Sequence, residues 1–231
     1  MKKIILSAIA LVSAAGVFAQ GTVIFDNRYG GTTHVYAPLG PGDTTRIVGQ
    51  ASNDSQPAGV NYGGRLVIGA SGTGGQYGAA TTLAQLLGAP GSNQPESSLL
   101  PSSGAPHTFR TGTAAGGVSG YADTFSNIPQ DAPVATFEMV AWDNFSGLYP
   151  TWALASVAWN AGLIAAGKSP LFTLNNIGGQ NNLSPTLFNS VLGAPGPGGV
   201  QSFNLYFIPE PMTATLGGLG VLAFIISRRR K

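Results

Sequence analysis

The chain has 231 residues and a formal net charge of +2, yet only 9% of them are charged, against roughly 25% in ordinary soluble domains. Its 34 glycines and 16 prolines stand beside 43% hydrophobic and 9% aromatic residues, which predicts a folded core with long polar loops and excludes a wholly disordered chain. The absence of cysteine excludes disulfides, thiol nucleophiles and thiolate metal sites.

The first 19 residues, MKKIILSAIALVSAAGVFA, place two lysines before an apolar stretch and end in small residues at Val17 and Ala19. This layout predicts a secretory signal peptide, handled by a Sec-type export machinery and cut by signal peptidase between Ala19 and Gln20. Six of the eleven cations lie at the two ends. Between residues 20 and 207, five scattered cations face eight acids, for a net −3. Phosphate backbones are held by clustered Lys and Arg, so nucleic acid is excluded as a partner.

From residue 20 onward, short apolar runs bounded by Gly, Pro, Asn and Ser predict strands. These are residues 22–25 (TVIF), 65–68 (RLVI), 81–87 (TTLAQLL, where a helical turn is the alternative and the paired threonines favour a strand), 134–142 (VATFEMVAW) and 202–207 (SFNLYF). In the fourth, Ala135, Phe137, Met139 and Ala141 share one face. In the last, Phe203, Leu205 and Phe207 point one way and polar tips the other, as in a half-buried strand. Residues 152–166 (WALASVAWNAGLIAA) predict a helix, with Pro150 and Thr151 at its start and Gly167 at its end. Trp152, Ser156, Trp159 and Leu163 fall on one stripe of it. The expected fold is mainly β: an antiparallel β-sandwich with one helical insertion over residues 20–207, read as one domain.

Chemistry-bearing motifs in this span are sparse. His34 and His107 are the only histidines and lack metal-ligand spacing, so no metal and no cofactor is expected. No G-x-S-x-G elbow supports a Ser–His–Asp triad, and no feature selects two of the eight acids as a glycosidase pair. Residues 72–75 (GTGG) lack a following Lys-Ser/Thr and read as a loop, and residues 143–147 (DNFSG) lack a calcium ladder and read as a turn. No catalytic residue is assigned, and the chain is not expected to be an enzyme. The densest aromatic group contains Trp142, Phe145, Tyr149, Trp152 and Trp159. Tyr149, Trp142 and Trp152 are candidate glycan contacts, because aromatic faces stack on sugar rings. The competing reading, which the helical spacing favours, is that the tryptophans pack the helix onto a sheet.

Residues 208–231 read IPEPMTATLGGLGVLAFIISRRRK. The uncharged run 212–226 opens at Met212 and closes at Ile226. As a helix it would reach about 22 Å, short of a typical hydrocarbon core of about 30 Å. The following Arg228, Arg229, Arg230 and Lys231 decide in favour of a thin transmembrane helix anchored by a cytoplasmic basic tail. Pro209, Glu210 and Pro211, the Gly-containing apolar run and the basic tail together resemble the PEP-CTERM sorting signal of bacterial exported proteins. That resemblance implies recognition of the Pro-Glu-Pro tripeptide by an exosortase, a membrane enzyme of systems that accompany exopolysaccharide production. Ile208 stands where the family more often has Val. The central stretches GTVIFDNR, AQLLGAPG, FRTGTAAG and the AWD–GKSPLF–SFNLYF progression resemble a recurring group of PEP-CTERM proteins of unknown function. The expectation is thus an exported protein, first membrane-anchored with residues 20–207 outside the cytoplasm and then held in the cell envelope or extracellular matrix. There the central domain acts structurally or adhesively. A carbohydrate-binding module is the alternative, with extracellular polysaccharide as partner, and a polysaccharide-active enzyme ranks third.

Overall fold

The computed structural model describes residues 20–29, 32–54, 59–118, 120–188 and 199–209. Gln20 and Pro209 are exposed at the two ends of this span. The predicted signal segment through Ala19, and Glu210, Pro211, residues 212–226 and the basic tail, lie outside the described residues. Among the described residues, no helix is long and apolar enough to cross a membrane.

The fold is mainly antiparallel β with a single α-helix among the described residues. Its frame is the pairing of β3 (Thr82–Pro90) with β7 (Val134–Asp143), antiparallel in register from Thr82↔Asp143 to Pro90↔Ala135. Two short strands, β4 (Leu100–Pro101) and β5 (His107–Thr108), share the outer edge of β3. The outer edge of β7 is shared by β8 (Ala166–Lys168) and β9 (Phe172–Asn175). The sheet is therefore four strand positions wide. Outside it, β1 (Gly21–Phe25) pairs antiparallel with β6 (Tyr121–Phe125), and β2 (Val35–Tyr36) pairs in parallel with β10 (Phe203–Asn204).

Strand β7 is buried on both faces, which its sequence only half announces. Ala135, Phe137, Met139 and Ala141 face the main core with Ala84 and Leu86, where Val23, Phe25, Val35, Phe125 and Phe203 cover them. Phe125 meets Phe137 edge-on, with centroids 5.3 Å apart. Val140 and Trp142 face a second cluster roofed by α1 (Trp152–Asn160) through Trp152, Ala155, Ala158 and Trp159. Each fully buried large apolar side chain contributes about 1.5–3 kcal/mol, so the strand with two covered faces carries more than its share.

Several sequence expectations change. Helix α1 begins as predicted, with the Thr151 hydroxyl accepting from Leu154 N. It ends at residue 160 instead of 166, because Gly162 turns the chain at φ +74° and residues 166–168 are needed as β8. Gly167 is therefore a strand residue. A Cβ there would lie 2.2 Å from the Asn204 carbonyl oxygen, so only glycine fits. Leu163, predicted on the buried stripe, is exposed. Residues 65–68 form no strand: the chain turns at both ends of the run, leaving one bridge from Val67 to Tyr36. Residues 202–207 pair only through Phe203–Asn204 and a bridge at Tyr206. Ser202 and Asn204, expected to face solvent, are buried because both are hydrogen-bonded across the chain. Asn204 accepts from Ile47 N at 2.7 Å and donates to the Thr45 carbonyl at 2.9 Å.

Candidate functional site

The predicted aromatic group is brought together, but as packing. Trp142 is fully enclosed and donates through Nε1 to the Tyr149 carbonyl at 2.7 Å. Its ring therefore offers no face to a sugar, which corrects its place among the candidate glycan contacts. Trp152 is nearly as buried, with its ring 5.7 Å from Trp142 and 6.0 Å from Trp159. Tyr149 is half-buried against the same cluster, and the exposed aromatic of the group is Phe145 at 58%. Residues 143–147 form the expected turn, with Gly147 N donating to the Asn144 carbonyl and Asp143 accepting from Phe145 N.

A concave surface among the described residues lies elsewhere, beside β2. An open cleft of about 510 Å³ is lined by Tyr36, Tyr62, Ser52, Asn53, Asn61, Arg65 and the glycine backbone around them. Tyr36 and Tyr62 stack with centroids 3.9 Å apart and planes 14° from parallel. Their hydroxyls are committed, Tyr62 to the Gly49 carbonyl at 2.7 Å and Tyr36 to Asn53 Oδ1 at 3.4 Å. Burial pushes both phenols well above the ordinary tyrosine range, with the nearby Asp54 charge adding to it, so both remain protonated donors. Beyond Gly64 and Arg65 the surface continues into a second cleft of about 340 Å³, bordered by Leu39, Leu66, Thr73, Gln76 and Tyr77. The 72–75 loop lies at this second cleft.

Among the described residues, Arg65 is the one charged side chain lining the first cleft, and it is fully engaged. It reaches Asp43 through Nε at 3.0 Å and through Nη2 at 2.6 and 2.9 Å, while Nη1 donates to the Tyr62 carbonyl at 3.1 Å. Burial would raise the Asp43 carboxyl, but bonds from Leu39 N, Thr45 N and Arg65 outweigh it and hold the group below the usual carboxylate range. The cleft wall thus presents donors and acceptors with no unpaired charge.

Behind the wall a buried polar network fixes the backbone. Asp54 accepts from His34 Nδ1, Ser202 Oγ and Ala51 N, and Ser202 Oγ in turn accepts from His34 N at 2.8 Å. Gln50 Oε1 accepts from Ser202 N at 2.8 Å. Arg28 Nη1 donates to His34 Nε2 at 3.2 Å, which fixes the imidazole proton on Nδ1. A serine, a histidine and an aspartate therefore meet, but in an order that does not activate the serine. Its hydroxyl bonds the carboxylate, and the free imidazole nitrogen faces an arginine instead of the hydroxyl.

His107 lies apart from His34, bonded through Nε2 to Asp123 Oδ1 at 2.7 Å and stacked on Tyr121. Among the described residues no group of three or more His, Asp or Glu side chains is placed to hold a metal ion. The cleft escaped the sequence reading because its residues come from β2, residues 49–54 and residues 59–67, with no shared motif. The signal available was the run of Asn and Gly between residues 49 and 64, which reads only as loop. No family model matches the chain, and no curated protein or solved structure matches it.

Proposed function

We propose that this is an exported, non-enzymatic protein of the bacterial envelope or extracellular matrix, whose domain adheres by holding a neutral polysaccharide in the Tyr36–Tyr62 cleft. The observation that carries this is the lining of that cleft: exposed uncharged amides and a hydroxyl, with the buried tyrosine pair fixing the wall behind them, around an arginine already neutralised by Asp43. Hydroxyl-rich, uncharged rings match such a surface, and an anionic ligand would find no free cation in it. The arrangement of β1–β6 and β2–β10 over one face of the β3–β7 sheet supports a sandwich-like fold with α1 inserted on the other face.

Binding of the purified full chain to an array of neutral and acidic polysaccharides tests the reading. Asn53→Ala combined with Asn61→Ala, both at exposed positions, is expected to weaken binding by about tenfold or more, equivalent to about 1.4 kcal/mol. Tyr149→Ala is expected to leave it unchanged. Silence across neutral glycans, or binding lost on Tyr149→Ala instead, would overturn the assignment of the cleft.

The sorting part of the proposal rests on the resemblance of residues 208–231 to the PEP-CTERM signal, read by an exosortase. Deleting those residues is expected to release the exported chain into the medium. Cell fractionation showing normal anchoring and processing of the truncated chain would sink it.

A further inference from the structure

Helix α1 is apolar on both sides. Its inward side packs Trp152, Ala155, Ala158 and Trp159 into the second core cluster. Its outward side exposes Ala153, Leu154, Val157 and, as the one polar residue, Asn160. Leu154 and Val157 are 51% and 70% exposed, while Ser156 on the flank turns its hydroxyl back to the Ala153 carbonyl at 3.1 Å. The flanking chain continues the pattern, with Phe145 and Leu148 exposed before the helix and Leu163 after it. Among the described residues, five of the twelve exposed large apolar side chains thus fall between residues 145 and 163. Residues 144–167 contain no charged residue. A surface helix ordinarily turns charged and polar residues to water, and clustered exposed apolar side chains mark an interaction surface.

The place where the chain leaves the domain says what covers this face. The Tyr206 carbonyl accepts from Trp159 Nε1 at 2.8 Å, and the Tyr206 ring meets Trp159 edge-on with centroids 5.2 Å apart. Ile208 packs against the same cluster, and Pro209 is exposed. The domain therefore ends beside α1. Only Glu210 and Pro211 separate Pro209 from the uncharged run that opens at Met212. Three residue steps reach about 10 Å, at about 3.3–3.6 Å each. That matches the diameter of a helix with its side chains, about 10–12 Å. A bilayer that takes in residues 212–226 thus lies within about one helix thickness of the exit. So short a tether also holds the face at high effective concentration against the lipid, an advantage that a second copy of the chain lacks.

We propose that the outward face of α1, with Leu154, Val157 and Leu163, docks in the lipid interface of the membrane that residues 212–226 enter, and fixes the tilt of the domain on it. The inference rests on the reading of residues 212–226 as a membrane segment. The face takes the boundary between headgroups and acyl chains, where exposed apolar side chains shed their water and the helix satisfies its own backbone. Lys168, the first cation after the helix, is tied to Glu96, so the face has no free charge for an anionic headgroup. Docking is therefore by apolar burial and independent of lipid charge. With α1 on the bilayer, β2 and the cleft beside it lie across the β3–β7 sheet, on the side away from the lipid. The membrane would then present the cleft outward.

The lack of cysteine makes the test direct. Val157→Cys, Leu39→Cys and Val221→Cys each place one fluorophore on the exported chain, produced in a host lacking an exosortase so that residues 208–231 are kept. Leu39 is exposed at the second cleft and serves as the reference. The chains are reconstituted in phosphatidylcholine vesicles carrying a lipid-borne quencher, with and without phosphatidylglycerol. Labels at Val157→Cys and Val221→Cys are expected to be quenched at least about threefold more than at Leu39→Cys, equally in both lipid mixtures. Adding Leu154→Glu to Val157→Cys is expected to return its label to the Leu39→Cys level, while near-ultraviolet circular dichroism reports that the chain remains folded. Quenching at Val221→Cys with Val157→Cys at the reference level would overturn the docking and leave the membrane segment standing. No quenching at Val221→Cys would overturn the membrane segment, and the docking with it. Quenching that required phosphatidylglycerol would overturn the apolar mode. Shielding of Val157→Cys that followed protein density instead of quencher content would give the face to a second copy and overturn the proposal.

Discussion

Replacing Trp142 with alanine is expected to cost about 3–5 kcal/mol of folding stability, the range for truncating a fully buried large aromatic. The side chain has no exposed surface and lies between Val140 on its own strand and Trp152 on the helix. Truncation leaves a cavity beneath α1 and removes the donor to the Tyr149 carbonyl. Trp142→Phe separates the two losses. It keeps most of the packing but leaves that carbonyl without its indole partner, a cost of about 1–3 kcal/mol where the group remains buried. Urea unfolding followed by the fluorescence of the remaining tryptophans measures both variants. If Trp142→Ala unfolded at the same urea concentration as the natural chain, the packing role would fail. A loss of glycan binding without loss of stability would restore Trp142 as a ligand contact.

The elements with strong local signals were legible in the sequence. Strands β1, β3 and β7 follow apolar runs, and the start of α1 follows the Pro150–Thr151 pair. What escaped was set by partners far away in the chain. Ser202 and Asn204 look like solvent-facing tips of an alternating strand, and only Gln50, Asp54 and residues 45–47, some 150 residues earlier, make them interior. Glu138 reads as the polar phase of β7 for the same reason. Alternation reports that a face is polar, but not that a helix and a loop will cover it. The end of α1 was misplaced because Ala-rich residues 161–166 satisfy helix propensity, whereas their place in the fold is decided by β8 pairing with β7. The cleft left no mark because Tyr36, Asn53, Tyr62 and Arg65 become neighbours only after the loops fold back on β2.

The second large effect is a dependence of stability on pH that one side chain controls. Glu138 is raised from 4.5 to about 7, chiefly by burial, with Glu96 adding to the rise and Lys168 and Arg46 opposing it. The folded chain therefore holds this proton more tightly than the unfolded chain. The stabilisation from it is fully present below about 4.5 and is lost as pH rises through about 7, where folding must bury a charge. The shift corresponds to about 3 kcal/mol as an upper bound. Glu138→Gln keeps the shape and removes the titration. The comparison is between the natural chain and its Glu138→Gln variant. The chain that retains Glu138 should lose stability between about pH 4.5 and pH 7, and the Glu138→Gln chain should lack that component. The two curves should run close at the acid end and diverge toward the alkaline end, with the Glu138→Gln chain the more stable. Urea midpoints across this range decide it. Parallel curves would mean that Glu138 reaches solvent in the folded chain and carries no buried charge.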